Sequence, residues 1–233
     1  MLHTTKFNDK TLLVHVFTEE FGRVTYAVVP GSSKKTGRKT AFFQPFSVLE
    51  LEVEHKNNRE IHRIKECKIS LPLITVQFDP VKIPVSLFLS DFVYRTLRDT
   101  TPNKPLFQFV LNSIRVLDLS VKSVANFHLV FLLNLTRFLG FYPNADNALP
   151  DTYFDMMNGV FVAHRPLHGH YLLPSDTRFF RLLLRMTYEN MHTFSLSRKD
   201  RVAIIERMIE YYRLHLTDFS STKSLQVLQS LFD

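Results

Sequence analysis

Four cations crowd one short segment of this chain. Residues 31–40 read GSSKKTGRKT and carry Lys34, Lys35, Arg38 and Lys39 with no acid among them. Mobile cations without a nearby carboxylate suit a phosphodiester backbone, which presents closely spaced negative charges. The first 80 residues hold twelve lysines and arginines against nine acids, and this segment supplies four of the twelve. The rest of that stretch is therefore slightly acidic, and the positive charge is concentrated. The plainer account is a solvated hairpin tip. Lys6 and Arg23 are further candidates for backbone contact. Tyr26, Phe42, Phe43 and Phe46 could stack on bases. Consecutive Phe42 and Phe43 cannot both face inward from an extended chain. One of them either offers a stacking platform or packs on neighbouring helices.

Two other constellations could do chemistry. The stretch FVAHRPLHGHYLLP (161–174) holds His164, His168 and His170, with Asp151 or Asp155 as a further oxygen donor. That spacing could serve a metal, but no HExxH or paired-cysteine framework supports it. An ordered connection with incidental histidines explains it as well, and no metal is expected. Arg178, Arg181 and Arg185 recur at three and four residues and so share a helix face. Such a stripe could pair with a carboxylate-rich segment of a partner, or simply form the polar side of an amphipathic helix. No GxSxG, GxxxxGK[ST] or GxGxxG is present, and the single cysteine, Cys67, can form neither a disulfide framework nor a zinc knuckle. No catalytic role is indicated. Glu50, Glu52 and Glu54 alternate along one strand face, as a solvated face does.

The elements that must position these residues fall into two halves. TLLVHVFTEE (11–20), GRVTYAVVP (22–30), PFSVLELEVEH (45–55) and EIHRIKECKISLPL (60–73) show period-two alternation between turn residues, the pattern of antiparallel strands. Four or five short strands in some eighty residues suit a small closed or partly closed barrel, which removes exposed edges. After Pro80 and Pro84 the period becomes helical. Helices are expected over 85–100, from Pro105 with a Phe107, Val110, Leu111, Ile114, Leu117 stripe, over 123–144 with Gly140 as C-cap, and over 175–191. Two more are expected over 197–216, with Ser197 and Asp200 as a capping box, and over 224–232. Residues 144–174 are irregular. Strands first and helices afterwards predict an α+β chain of segregated domains. The formal net charge of +7 fits an anionic partner and says nothing of the fold. The apolar run LVFLLNL at 129–135 is too short to span a bilayer, and no basic-then-apolar leader precedes the first strand-like run. A cytoplasmic protein is expected.

Four segments in order carry a resemblance: LHTTKFNDKTLLVHVFTEEFGRVTYAVVPGSSKK, FFQPFSVLELEVE, LTRFLGFYPN and YYRLHLTDFSSTKSLQVLQSLF. Together they span nearly the whole chain and are similar to the RecO family of bacterial recombination mediators. The resemblance implies an N-terminal OB-fold β-barrel over residues 1–80 that binds nucleic acid, followed by an all-helical C-terminal domain over 81–233. It implies a non-enzymatic role in recombinational DNA repair. Such proteins bind single- and double-stranded DNA, anneal strands, act with RecR, contact the acidic C-terminal tail of single-strand-binding protein, and help load RecA in the bacterial nucleoid. Carried to this chain, DNA contact falls on Arg23, Lys34, Lys35, Arg38 and Lys39. Many members hold a four-cysteine zinc module near residues 150–175. This chain has no cysteine there, so packing of Phe154, Phe161, Tyr171 and Leu172 is expected to do the zinc's structural work, with no cofactor. Two other readings stay open: an adaptor whose helical domain binds an acidic peptide tail with DNA contact incidental, and an OB-fold RNA-binding factor.

Overall fold

The computed structural model describes residues 1–29, 42–56, 58–97, 101–217 and 219. Two compact units divide the described residues, one from Met1 to Leu119 and the other from Ser120 to Phe219.

The first unit begins with β1 (His3–Asn8), β2 (Thr11–Thr18), β3 (Gly22–Val28), β4 (Val48–Glu54) and β5 (Ile61–Leu71). Their order in the sheet is β1-β2-β3-β5-β4, antiparallel throughout except for the parallel β3–β5 seam. Alternation in β3 decides which side is core. Val24, Tyr26 and Val28 are buried, and Arg23, Thr25 and Ala27 lie on the other face. Val14, Val16 and Phe43 join them inside, flanked by Leu49, Leu51, Val53 and Ile64. The carboxylates of Glu50, Glu52 and Glu54 stay outside, as their spacing predicts. No ladder joins β4 back to β1 among the described strands. Instead the Phe46 N–H donates to the Met1 carbonyl at 3.0 Å and the Met1 amine donates to the Ser47 carbonyl at 2.8 Å, which ties the two edge strands together where they begin. Five strands in this order, partly open, make an OB-fold.

Two helices complete the unit. In α1 (Lys82–Thr96) Pro84 sits in the first turn, where its missing N–H costs nothing. The apolar stripe of α2 (Lys104–Leu119) brings Phe107, Val110, Leu111 and Ile114 against the barrel across a small apolar cavity of about 50 Å³. Asp118 locks the chain leaving the barrel. Its buried carboxylate accepts the N–H groups of Ile74, Thr75 and Val76 at 2.9, 2.8 and 2.9 Å. Lys82 Nζ donates to the Asp118 carbonyl and to Thr75 Oγ1.

The second unit packs α3 (Phe127–Leu139), α4 (Pro174–Leu184) and α5 (Arg198–His215). Gly140 ends α3 in the left-handed region at φ 85°, as a C-cap glycine does. Ser197 and Asp200 form the expected capping box. α4 stops at Leu184, short of 191. Asn190 Oδ1 accepts from the Thr187 N–H and its amide donates to the Arg185 carbonyl, so local side-chain bonds replace the helical ladder. The irregular region contains a small sheet of β6 (Tyr153–Asp155), β7 (Val160–Val162) and β8 (Tyr171–Leu172), ordered β7-β6-β8. Phe154, Phe161 and Leu172 are cross-strand partners on its buried face, and the Phe154 ring meets those of Phe161, Phe180 and Tyr211 at 4.9, 4.8 and 5.6 Å. Tyr171 lies on the opposite face, edge-on to Tyr153. The anticipated C-terminal helix over 224–232 lies outside the described residues.

Candidate nucleic-acid interface

The outward face of the barrel is the side opposite the core. Strand register fixes its membership. His3 pairs with His15, and His15 with Thr25, which pairs with Ile61 across the parallel seam. Thr5 pairs with Leu13, Leu13 with Ala27 and Ala27 with Arg63. Two rows of side chains therefore cross β1, β2, β3 and β5.

Tyr94, in the last turns of α1, closes one end of this face. Its ring stacks on His3 at 4.8 Å and 18°, and lies 4.8 Å from His15. The His15 ring is held on both sides, with Nδ1 3.0 Å from Thr25 Oγ1 and Nε2 3.3 Å from Thr5 Oγ1. Burial lowers the His15 pKa to about 4, and the charges of His3 and Arg23 add to the effect. Burial also lowers the pKa of His3, against Asp91 and with Arg95. Both imidazoles are thus neutral at physiological pH. The result is a patch of uncharged planar rings with hydroxyls between them, half-exposed, suited to stacking and hydrogen bonding.

Arg23 stands at the edge of the patch. It donates to the Tyr94 carbonyl at 3.1 Å, and its guanidinium lies 5.2 Å over the Tyr94 ring. A cation on the last carbonyls of a helix also opposes the helix dipole favourably. Lys6 is exposed at the β1–β2 hairpin and pairs with Asp9 at 2.8 Å, a contact of little energetic weight. Lys34, Lys35, Arg38 and Lys39 lie outside the described residues. The candidate stacking aromatics are elsewhere. Tyr26 and Phe43 are 1% and 7% exposed and belong to the barrel core, Phe46 is 2% exposed and lines the cavity shared with α2, and Phe42 is half-buried. Tyr26 alternates with Thr25 and Ala27 and shares the buried face of Val24 and Val28, so it is not available for stacking. The rings on the outer face, His3, His15 and Tyr94, were not singled out by spacing, because Tyr94 arrives from a helix some eighty to ninety residues away.

In the second unit the arginine stripe is divided. Arg181 donates to the carbonyls of Leu149 and Pro150 and to Thr177 Oγ1, so it braces the preceding loop. Arg178 and Arg185 are exposed. The histidine cluster does not converge. His168 Nε2 lies 3.2 Å from Asp155 Oδ1, its Nδ1 accepts from the His170 N–H, and the His170 ring centroid is 6.4 Å from its own. Asp155 also accepts from the Met157 and Asn158 N–H groups and the Asn158 amide. Burial alone would raise its pKa, but these hydrogen bonds hold it below the usual carboxylate range. Among the described residues no three His, Cys, Asp or Glu side chains gather as ligands. No described helix is long and apolar enough to cross a membrane.

The first unit is by its strand order an OB-fold with a ring-bearing outer face, and a helical unit follows it. Comparison with known proteins makes this specific. Residues 1–72 match the family "Recombination protein O N terminal" and residues 77–225 match "Recombination protein O C terminal". The DNA repair protein RecO of Azobacteroides pseudotrichonymphae is 45% identical over 232 residues, covering 100% of this chain and 96% of that one. Its namesake in Bacteroides fragilis is 44% identical over 234 residues, covering 100% and 97%. That of Flavobacterium psychrophilum is 34% identical over 233 residues, covering 100% and 96%. The chain belongs to the RecO family.

Proposed function

We propose that this protein is a DNA-binding mediator of recombinational repair that has no catalytic role of its own. The observation that carries the reading is the match of both halves to the RecO family, joined to an OB-fold whose outer face offers uncharged rings edged by Arg23. In such folds aromatic stacking holds bases while surrounding cations follow the backbone. Nucleic-acid binding is assigned to residues 1–80, with Lys6, Arg23, Lys34, Lys35, Arg38 and Lys39 as the contacting cations. α1 and α2, which share the compact unit with the barrel, then serve as its support. The helical part, 81–233, is assigned to partners: RecR, and the acidic C-terminal tail of single-strand-binding protein. Exposed Arg178 and Arg185 are candidates for the tail, and loading of RecA follows indirectly. The cellular site is the cytoplasm, at the nucleoid.

The test is a titration with single-stranded DNA at two salt concentrations, on the parent and on a variant with Lys34, Lys35, Arg38 and Lys39 reversed in charge. Affinity should fall steeply with salt in the parent, and the variant should bind weakly with its thermal stability kept. Equal binding by the two proteins would remove the loop from the interface. Absence of salt-dependent binding in the parent, with an acidic tail peptide still captured, would favour the adaptor reading. Preference for structured RNA over single-stranded DNA would favour an RNA-binding factor.

A further inference from the structure

The outer face of the barrel continues past Ala27 into a pocket at the parallel seam. It is an open cavity of about 230 Å³ at the end of β3, walled by Ala27 and Ile61. Lys56, Arg59 and Arg63 line it, and Glu54 is the only acid among its lining residues. Lys65 lies close enough that its charge, with those of Lys56 and Arg59, lowers the Glu54 pKa, the Lys56 hydrogen bond being the largest cause. Four cations thus surround one carboxylate.

The cations differ in what they do for the fold. Lys56 is engaged by Glu54 at 2.7 Å. Arg59 and Arg63 are exposed, and their guanidinium groups have no hydrogen bond, ion pair or ring contact among the described residues. Two guanidiniums facing one concave space whose single carboxylate, Glu54, is already paired with Lys56 repel each other more than that one acid offsets. Their planar forks suit the tetrahedral oxygens of a phosphate, which a single exposed ammonium binds less selectively. Register also orients the pocket. Arg63 is opposite Ala27 on the same face as His15 and Thr25. Arg23 and Ala27 are four residues apart on β3, roughly 13 Å along the strand.

We propose that Arg59 and Arg63, with Lys56 behind them, form a phosphate site that anchors a nucleic-acid strand at the opposite end of the outer face from Arg23. The assignment rests on the DNA-binding reading above and adds a second fixed point to it. A strand crossing the ring patch would then be held by its backbone at both ends and by its bases between. Glu54 sets an upper limit on affinity, because it neutralises Lys56 and repels the incoming anion.

The experiment is fluorescence anisotropy with an unphosphorylated single-stranded oligonucleotide, over a salt series, on the full chain. Arg59→Gln with Arg63→Gln should weaken binding about tenfold at low salt and make the salt slope shallower by roughly one charge. Glu54→Gln should strengthen binding by about threefold, a gain that a misfolded protein cannot show. Lys68→Gln is the control, because Lys68 is paired with Glu50 at 2.8 Å five residues farther along β5, and it should behave as the parent. ATP at millimolar concentration should not displace the oligonucleotide. If the double variant and the parent share one binding curve while the loop variant is weakened, this site is wrong and the DNA-binding reading stands. If the parent itself does not bind, that reading has failed first. Displacement by ATP with an unchanged salt slope would overturn the backbone assignment in favour of a free nucleotide.

Discussion

Replacing Asp118 tests how the barrel is joined to its supporting helices. The carboxylate is 5% exposed and receives three backbone N–H groups. Those donors are not equivalent. Ile74 is 71% exposed, so water can take over its N–H when the acceptor is removed. Val76 is 1% exposed, and its N–H would be left without a partner. An orphaned buried donor costs about 1–3 kcal/mol, and each lost bond to a charged acceptor about 1.5 kcal/mol at the low end. Asp118→Ala should therefore destabilise the protein by about 3–4 kcal/mol. Asp118→Asn should cost less, about 2 kcal/mol, because Oδ1 takes both the Thr75 and Val76 donors and an amide oxygen can still accept them. Its new NH2 group would instead face the Ile74 N–H, at the exposed end. The pH dependence follows from the pKa. Burial raises it, but the hydrogen bonds from residues 74–76 outweigh burial and hold it low. A depressed carboxylate contributes stability that is complete above its unfolded value, about 3.9, and is lost as pH falls through the folded value. The gap between parent and Asp118→Asn should thus be widest near neutral pH and close in acid. Urea unfolding followed by far-UV circular dichroism measures both, since the chain has no tryptophan. An alanine variant within 1 kcal/mol of the parent, or an asparagine variant worse than alanine, would refute the reasoning.

Two further perturbations concern the helical unit. Gly159 has φ +66°, and a Cβ there would lie 2.5 Å from the Tyr211 hydroxyl, which donates to the Phe141 carbonyl. Gly159→Ala should cost about 2–3 kcal/mol, from left-handed strain and the displaced hydrogen bond, and Tyr211→Phe should relieve part of that cost in a double-mutant cycle; strict additivity of the two would show that the hydroxyl is not the obstacle. His128 is fully buried, and burial, with the Arg201 charge adding to it, lowers its pKa to about 3. The imidazole stays neutral in the fold and protonates in the unfolded chain below about 6.5, so stability should fall as pH drops from there. Between pH 6.5 and 4.5 this one group removes about 2.3 kcal/mol, and His128→Gln should flatten that limb of a melting-temperature profile. Parallel profiles for parent and variant would count against it.

The fold was legible wherever periodicity was strong. β2, β3, β4 and β5 sit where alternation placed them, and the capping box and the Gly140 cap mark their helix ends. β1 carried little signal, because HTTKFN is mostly polar and only Leu2 beside it is deeply buried. β6, β7 and β8 are two or three residues each, too short for a period to emerge among prolines and glycines. The site was legible by half. The Arg23, Thr25, Ala27 row reads directly from β3. The rings beside it depend on α1 delivering Tyr94 to His3 and His15, and no local pattern encodes a contact of that separation.

That division of labour on the outer face has a consequence for how affinity should be measured. Stacking on neutral rings releases no counterions, whereas each phosphate held by a cation does. The slope of log affinity against log salt then counts cations, and the value extrapolated to high salt reports the rings. Changes at Arg59, Arg63 or the 31–40 segment should move the slope. Changes at His15 or Tyr94 should move the high-salt value and leave the slope alone. His15 adds a pH criterion. With its pKa lowered to about 4, it remains uncharged through the physiological range. A binding curve that gained slope between pH 8 and pH 6 would therefore point to titration elsewhere than at His15.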